Sequence, residues 1–237
     1  GDKARARVLA RSCGIPVLPG SEGPAELDQA LEFQRRHGAV MIKAIAGGGG
    51  RGMRAVRSAE ELEAAYPRCR SEAKSAFGND EVYLEALLPR ARHVEVQIAG
   101  DGSGAVVHLW ERECSVQRRN QKLVEIAPSP GLDKPLRQRL LEAAVRLGEA
   151  ARFDNLGTIE FLVDLDARPG EPGFAFIEAN ARLQVEHTVT EEVTGIDLVH
   201  AQLVRIAPYV ESFPVPRFVD LVDALSLGMR RRSLQHR

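Results

Sequence analysis

Residues 40–56, with the sequence VMIKAIAGGGGRGMRAV, join two segments of strand character through a run of glycines. Val40 to Lys43 is predicted to form a buried strand and Met53 to Val56 a second, short one. Glycine amides can approach phosphate oxygens because no Cβ stands in the way. The run lacks the Gly-Lys-Ser/Thr of a Walker A loop, and no helix follows it as G-x-G-x-x-G requires. We interpret it as a strand-loop-strand flap over a triphosphate, with a flexible hairpin tip as the alternative.

Lysine is scarce in this chain, which has five lysines among its 32 basic residues. Where arginine is the default cation, a retained lysine indicates that a compact ammonium charge is needed. Lys43, at the end of the strand before the glycines, could reach a phosphate as such a point charge. A surface lysine is the alternative.

Outward from the glycines, helices and strands mix without strict alternation. Helices are predicted over 3–13, 25–37, 58–78, 134–152 and 197–206, and further strands over 82–88, 94–98, 105–110, 158–163 and 174–177. The 94–98 and 105–110 strands form a predicted hairpin around a glycine-rich turn. This pattern favours the α+β class over a doubly wound sheet.

The overall composition is that of a globular domain. The 237 residues carry a net charge of -1, with 44% hydrophobic and 27% charged residues, which argues against wholesale disorder. No apolar run approaches the ~18 residues of a transmembrane helix, and near neutrality gives no reason to bind nucleic acid or an anionic membrane. Three scattered cysteines indicate a reducing compartment, so we expect a cytoplasmic protein.

An acidic pair lies on two predicted strands. Glu160 stands within TIEFLV and Glu178 ends FAFIEAN, with Asn180 beyond it. A carboxylate among apolar neighbours is unfavourable unless it is paired or metal-bound. These oxygens suit Mg²⁺, which binds carboxylates together with nucleotide phosphates. Carboxylates on edge strands that face water are the alternative.

Two polar segments are further candidates. Residues 180–191, NARLQVEHTVTE, show little periodicity and are interpreted as a functional loop, or as a solvated polar loop. In a functional loop, a fixed guanidinium beside a carboxylate could hold a small anion and its base together. Residues 111–125, ERECSVQRRNQKLVE, form a charge run that is typical of a solvated face. Cys114 within it is expected to be a small buried filler rather than a nucleophile.

Together these segments resemble the ATP-grasp core of biotin carboxylase, as found in acetyl-CoA, propionyl-CoA and pyruvate carboxylases. The matching stretches are GDKARAR (1–7), IKAIAGGGGRGMR (42–54), RHVEVQI (92–98), ERECSVQRRNQK (111–122) and FIEANARLQVEHTVTEEVTGIDLV (176–199). The resemblance covers about residues 1–207. The stretch VEIAPSP and the segment around residues 187–202 favour the pyruvate-carboxylase or fused acyl-CoA-carboxylase branch.

The resemblance implies a set of site residues. ATP would be bound by Lys3, Lys43, Gly49, Gly50, Glu85, Ala86, Leu87, Leu88, His93, Gln117, Asn120, Glu160 and Glu178. Mg²⁺ or Mn²⁺ would be held by Glu160, Glu178 and Asn180, and bicarbonate by Lys122, Arg182 and Val185. Glu186 would be the general base, and Arg182 would stabilise the biotin enolate. Lys122, Arg182 and Glu186 are thus the implied catalytic residues.

The same resemblance implies an ATP-grasp fold with a small glycine-loop lid subdomain and a larger mixed-sheet subdomain. We divide the chain into an entry helix and linker (1–14), the lid (15–88), the core (89–207) and an atypical tail (208–237). The implied function is ATP- and bicarbonate-dependent carboxylation of biotin through carboxyphosphate. Its partners would be biotin carboxyl carrier and carboxyltransferase domains, without nucleic acid or membrane, and a homodimer in the full-length form.

Some positions depart from the family's pattern. Asn120 stands where the family usually has histidine, Ala86 where it often has lysine, and the connection between Glu160 and Glu178 is longer, which predicts an exposed hairpin insertion. The chain begins at Gly1 within a helical pattern, and its tail does not resemble the family, so we expect a fragment that is incomplete by itself. The alternatives are an inactive nucleotide-binding fragment and an ATP-grasp ligase of the carbamoyl-phosphate synthetase type. The final acyl acceptor does not follow from the sequence.

Overall fold

The computed structural model describes residues 3–46, 52–118 and 120–206, with the backbone alone for 204–206. The predicted phosphate ligands Gly49 and Gly50 and the predicted tail 208–237 lie outside the described residues. None of the helices in the described ranges is long and apolar enough to cross a membrane.

Within these ranges the chain forms six helices and eight strands. The helices are α1 (Lys3–Ser12), α2 (Leu27–His37), α3 (Ala59–Phe77), α4 (Lys134–Ala150), α5 (His187–Thr194) and α6 (Leu198–Ile206). The strands are β1 (Val40–Ala44), β2 (Met53–Val56), β3 (Val82–Ala86), β4 (Ala91–Asp101), β5 (Val106–Arg118), β6 (Gln121–Ile126), β7 (Asp154–Asp164) and β8 (Phe174–Asn180). Every predicted helix and strand is present, so the mixed α+β class is confirmed.

The strands form two sheets. One has three strands in the order β2-β1-β3, and the other has five in the order β6-β5-β4-β7-β8. The described residues also divide into two compact units. The first draws on the ranges 3–92, 116–123 and 162–178, and the second on 93–115, 124–161 and 179–206. The predicted division at residues 88 and 89 stays a prediction.

The first unit is built on an antiparallel sheet that carries the residues next to the glycine run. Lys43 of β1 lies opposite Met53 on one side and Tyr83 on the other. Helix α3 begins at its N-cap Ser58, whose Oγ accepts a hydrogen bond from Glu61 N, and ends at Gly78, a left-handed residue with φ 75°. Apolar side chains from the helices and the sheet form its core, among them Ala30, Val40, Ile42, Leu62, Tyr66 and Leu84.

The second unit is built around the hairpin of β4 and β5. In this antiparallel pair Glu95 lies opposite Arg112, and all residues from Val94 to Gly100 are buried. Helix α4 lies close to the hairpin at Gly148, where an added Cβ would stand 2.9 Å from Val106 Cγ1. Glycine at this position therefore allows the close approach of helix and hairpin.

Two interpretations of the sequence are wrong. Residues 180–191 are not all irregular, because α5 begins at His187. Its buried positions are Thr190 and Thr194, so no apolar periodicity marks the helix. The charge run is not a solvated face throughout, because Glu111 and Arg112 are fully buried in β5. Cys114 is also fully buried, so the prediction that it fills space in the core is confirmed.

The connection between β7 and β8 is exposed, as predicted for a hairpin insertion. Residues 168–172 are all exposed to solvent. A hydrogen bond from Asp164 N to Gly173 O, at 2.9 Å, joins the two ends of the connection. This connection therefore lies at the surface of the protein.

Candidate functional site

In the first unit, Glu85 is the centre of a buried charge cluster. Its carboxylate is 1% exposed at the end of β3. Arg7 Nη1 donates to its Oε1 at 2.6 Å, and Lys43 Nζ is hydrogen-bonded to its Oε2. Two cations thus share one carboxylate, which leaves the cluster with an excess of positive charge. A buried excess of this sign suits an anionic ligand.

Tyr83 completes this cluster. Its hydroxyl donates to Glu85 Oε1 at 3.0 Å. Burial and the negative charge of Glu85 raise the pKa of Tyr83 far above its ordinary value, so the hydroxyl remains protonated and stays a donor. Arg7 and Tyr83 were not identified from the sequence, because each stands in a segment whose pattern indicates only a helix or a strand.

Two further predicted residues of the first unit form an ion pair. Lys3 Nζ lies 3.6 Å from Glu178 Oε1, with the side chains 10% and 26% exposed. The predicted phosphate ligand Lys3 and the predicted metal ligand Glu178 are therefore neighbours. Glu178 lies on β8, at the edge of the five-stranded sheet, where its carboxylate is partly exposed and paired with Lys3.

The predicted nucleotide-lining residues 85–88 continue from β3. Ala86 N donates to Pro19 O at 2.8 Å and Leu87 N to Ala39 O at 2.9 Å, so these two amides are engaged within the unit. Gln117 and Lys122 lie on β5 and β6, in the part of these strands that belongs to the first unit. Asn120, between the two strands, has φ 63°, a left-handed conformation that asparagine adopts more readily than most residues.

In the second unit, Glu160 is bound by two other predicted residues. The carboxylate is 5% exposed on β7. Its Oε2 lies 2.8 Å from His93 Nε2, and its Oε1 accepts a hydrogen bond from Asn180 Nδ2 at 2.8 Å. The alternative of a carboxylate facing water is therefore wrong for Glu160. In the described part of the chain no group of three or more His, Cys, Asp or Glu side chains could hold a metal by itself.

The Gln184 side chain links Asn180, which binds Glu160, to the carboxylate of Glu186. With the Gln184 amide oriented so that both ends are satisfied, its nitrogen donates to Glu186 Oε1 at 2.7 Å and its oxygen accepts from Asn180 Nδ2 at 2.9 Å. Gln184 is buried, whereas Glu186 is half-buried at the N-cap position of α5. A buried amide thus fixes the orientation of a partly accessible carboxylate, as a positioned general base requires.

The predicted anion ligands nearby are open to solvent. Arg182 is exposed, its Nη1 donating only a long bond to Leu183 O at 3.3 Å, and Val185 is 91% exposed. These two residues and Glu186 lie within five consecutive positions of the chain. Lys122, the remaining predicted bicarbonate ligand, belongs to the first unit.

Sequence reasoning missed a second buried network beside this segment. It consists of Glu95, Gln97, Arg112 and Thr190, all buried. The signal was present in the predicted hairpin, whose register pairs Glu95 with Arg112. Opposite charges at facing positions of two strands indicate a cross-strand pair.

The chain is similar in sequence to carboxylases over most of its length. Residues 2–210 match the family model described as carbamoyl-phosphate synthase L chain, ATP binding domain. Pyruvate carboxylase of Bacillus subtilis is 54% identical over 205 residues, which are 86% of this chain and 17% of that protein. The mitochondrial pyruvate carboxylase of Homo sapiens is 53% identical over 205 residues, again 86% and 17%. The chain thus spans less than a fifth of these relatives.

Solved structures of biotin carboxylases share its fold. A complex described as biotin carboxylase-β-γ-ATP from Campylobacter jejuni matches with a TM-score of 0.81 and 43% identity, over 90% of this chain and 47% of that one. The biotin carboxylase domain dimer of Hydrogenobacter thermophilus 2-oxoglutarate carboxylase, in complex with MgADP, ADP and bicarbonate, matches with a TM-score of 0.81 and 41% identity, over 90% and 46%. The ATP-grasp fold predicted from the sequence is therefore confirmed.

Proposed function

Because the chain belongs to the family of the carbamoyl-phosphate synthase L chain, ATP binding domain, we propose that it is the core of a biotin carboxylase. In this reaction a bicarbonate oxygen attacks the γ-phosphorus of ATP, ADP leaves, and carboxyphosphate forms. The carboxyl group then passes to the ureido nitrogen of carrier-bound biotin, and phosphate is released. The observation that carries the proposal is the 2.7 Å distance between the Gln184 amide and Glu186 Oε1, a hydrogen bond when the amide is oriented to satisfy both of its ends, which fixes a carboxylate on the segment that also bears Arg182.

ATP phosphates would be bound by Lys3 and Lys43, with Gly49 and Gly50 contributing from the glycine run. The excess of cations around Glu85 supports this assignment. An ammonium group has three donors, so Lys43 can keep its bond to Glu85 while it donates to phosphate oxygens. Glu85, Ala86, Leu87 and Leu88 would line the adenine and ribose site, with His93, Gln117 and Asn120 as further nucleotide contacts.

The family implies a divalent metal ion. The donor chemistry of Glu160, Glu178 and Asn180 fits Mg²⁺ or Mn²⁺, since hard cations take oxygen ligands and Mg²⁺ takes one or two protein carboxylates together with phosphates. When bound, the ion would neutralise charge on the transferring phosphoryl group. The carboxylate of Glu160 is held in a more fixed orientation than that of Glu178, because His93 and Asn180 contact both of its oxygens.

Bicarbonate would be bound by Lys122, Arg182 and Val185, the last through its backbone. Glu186 would accept the proton of bicarbonate as its oxygen attacks phosphorus, and Arg182 would stabilise the biotin enolate. The exposure of Arg182 and Val185 supports a site that small substrates can enter. Phosphoryl transfer of this kind depends on positioning and charge stabilisation, which these side chains supply.

The partners we propose are a biotin carboxyl carrier and a carboxyltransferase, as domains or subunits. A homodimer of the full-length form is supported by the dimeric biotin carboxylase domain of 2-oxoglutarate carboxylase. The cytoplasmic location inferred from the cysteine content stays a prediction, because the relatives include mitochondrial pyruvate carboxylases.

Release of ADP from MgATP tests the proposed function. We would measure it for this chain and for the full-length protein that contains it, with and without bicarbonate, free biotin and ammonia. Release that requires bicarbonate and increases with biotin supports a biotin carboxylase. Stimulation by ammonia in place of biotin would indicate a carbamoyl-phosphate synthetase type of ligase. Binding of MgATP to the full-length protein without bicarbonate-dependent cleavage would indicate an inactive nucleotide-binding module.

A further inference from the structure

We propose that Arg112 is a positioning residue for Glu186, holding the segment 184–190 from both of its ends. This inference rests on the proposed role of Glu186 as general base. It goes beyond that role because Arg112 contacts neither Glu186 nor any proposed substrate ligand directly. All the residues concerned belong to the second unit.

The first contact of Arg112 is with Glu95. Arg112 Nε donates to Glu95 Oε1 at 2.7 Å, and Nη2 lies 2.7 Å from the same oxygen. Both side chains are completely buried on the facing strands β4 and β5. A buried pair of this kind has few alternative arrangements, so the direction of the Glu95 carboxylate is fixed.

The other oxygen of Glu95 extends this contact to the segment. In the orientation of the Gln184 amide that satisfies both of its ends, Glu95 Oε2 accepts a hydrogen bond from the amide nitrogen at 3.1 Å, and the same nitrogen donates to Glu186 Oε1 at 2.7 Å. Arg112 is thus separated from the carboxylate of Glu186 by two side chains. Rotation of Glu95 would remove one of the two acceptors that hold the Gln184 amide in place.

The second contact of Arg112 is with helix α5. Its Nη1 donates to Thr190 Oγ1 at 2.6 Å and to Gln97 Oε1 at 2.9 Å. Thr190 lies in the first turn of α5, which begins directly after Glu186. The guanidinium therefore fixes the helix just after Glu186, while Glu95 and Gln184 fix the chain just before it.

This geometry requires the shape of arginine as well as its charge. The planar guanidinium presents donors in two directions at once, toward Glu95 and toward Thr190. Lysine keeps the charge, but a single ammonium cannot occupy both positions. A buried ion pair is weak grounds for stability, since apolar residues often serve as well. The contact of Arg112 with both Glu95 and Thr190 gives another reason for a buried charge at this position, because it orients the chain on both sides of Glu186.

Thr190→Val in the full-length protein is the decisive variant, because it preserves shape and removes one contact of Arg112. We expect kcat for bicarbonate-dependent ADP release to fall roughly five- to tenfold, while KM for ATP stays within about twofold. Thr194→Val is the matched control. Thr194 is a buried threonine of the same helix that donates to Thr190 O at 2.7 Å, so its variant should lose stability similarly and leave kcat within about twofold.

Arg112→Lys should lower kcat by about 100-fold, since a displacement of about 1 Å at a reacting group has that effect. Combined with Thr190→Val it should add little further loss, because both changes release the same contact. Thermal unfolding of each variant separates misfolding from misplacement.

The outcomes distinguish this proposal from the one it rests on. If the unaltered full-length protein shows no bicarbonate-dependent release of ADP, the proposed function fails and this inference fails with it. If it shows that activity but Thr190→Val and Thr194→Val have equal kcat, Arg112 has no positioning role. A larger loss of kcat in Thr190→Val than in Thr194→Val, at equal thermal stability, supports it.

Discussion

Lys43 and Glu85 form an ion pair in which the side chains are only 10% and 1% exposed. The lysine comes from β1, directly before the glycine run, and the glutamate from β3 on the adjacent strand. Arg7 occupies the other oxygen of the same carboxylate. One carboxylate therefore holds two cations that would otherwise repel each other without solvent to screen them.

Replacement of Glu85 by glutamine should therefore destabilise the chain strongly. The amide has nearly the same shape, but it leaves Arg7 and Lys43 buried without a counter-ion. We expect a loss of about 3–5 kcal/mol in the free energy of unfolding, the usual effect of removing one partner of a buried pair. Urea denaturation of the purified chain measures it.

Glu32→Gln is the control for this prediction. Glu32 also contacts two arginines, Arg35 and Arg36, but these side chains are 57–67% exposed. Exposed pairs contribute little, so this variant should stay within about 0.5 kcal/mol of the unaltered chain. Equal stability of the two variants would contradict the account of the Glu85 cluster.

The sequence predicted local structure better than contacts between distant residues. The strands β1 and β2 and the capping of α3 by Ser58 follow from local patterns, and the structure agrees with them. The contact between Arg7 and Glu85 joins residues 78 positions apart, and nothing local indicates it. Helix α5 was missed because it buries threonines where a helix usually buries apolar residues.

The candidate site was predicted mainly by resemblance. Residue chemistry alone proposed the acidic residues Glu160 and Glu178, but left water-facing carboxylates as an alternative. The structure removes that alternative for Glu160, which is buried on β7 between neighbouring strands, whereas Glu178 stays partly exposed on the edge strand β8 and is paired with Lys3. Gln184 stands in the polar segment 180–191, where its neighbours in sequence indicate no role for it. Its role depends on Glu95, which is far from it in the chain, and on Asn180, the last residue of β8.

Glu178→Gln tests the proposed metal ligands. Removal of this carboxylate leaves Glu160 as the one charged protein ligand, so we expect the affinity for MgATP to fall about tenfold or more. Binding of ATP in the presence of EDTA should change far less, because no metal takes part. Isothermal titration calorimetry with and without Mg²⁺ measures both.

Glu171→Gln serves as the control for the metal prediction. Glu171 lies in the exposed connection between β7 and β8, where its carboxylate accepts a hydrogen bond from Arg168 N at 2.8 Å. Its variant should bind MgATP as the unaltered chain does. An unchanged affinity for MgATP in Glu178→Gln would remove Glu178 from the metal site.

Arg182→Ala should separate nucleotide binding from carboxyl transfer. Because Arg182 is exposed and makes one long bond to Leu183 O, its removal should not disturb the fold. In the full-length protein we expect ATP binding within about twofold of normal and carboxylation of biotin reduced by 100-fold or more, the range for loss of a group that stabilises developing charge. Incorporation of labelled bicarbonate into biotin measures the second quantity.

The matched control is Arg168→Ala, another exposed arginine, placed in the connection between β7 and β8. It should retain both activities. Equal carboxylation by the two variants would exclude Arg182 from the mechanism.

Cys69 provides a test of burial in the first unit. Burial raises the pKa of its thiol to about 11, with smaller opposing effects from Arg54, so almost none of it is thiolate near neutral pH. Cys13 is half-buried, whereas Cys69 and Cys114 are fully buried. We therefore expect iodoacetamide at pH 7.5 to modify Cys13 first in the native chain, and all three cysteines at similar rates in urea. Mass spectrometry of tryptic peptides gives the order of modification, and early labelling of Cys69 in native buffer would show that the core around α3 opens readily.

The raised pKa of Cys69 also makes the stability of the chain depend on pH. Because the pKa of the thiol is higher in the folded than in the unfolded chain, its contribution to stability is present below about pH 9 and is lost as the pH rises toward 11.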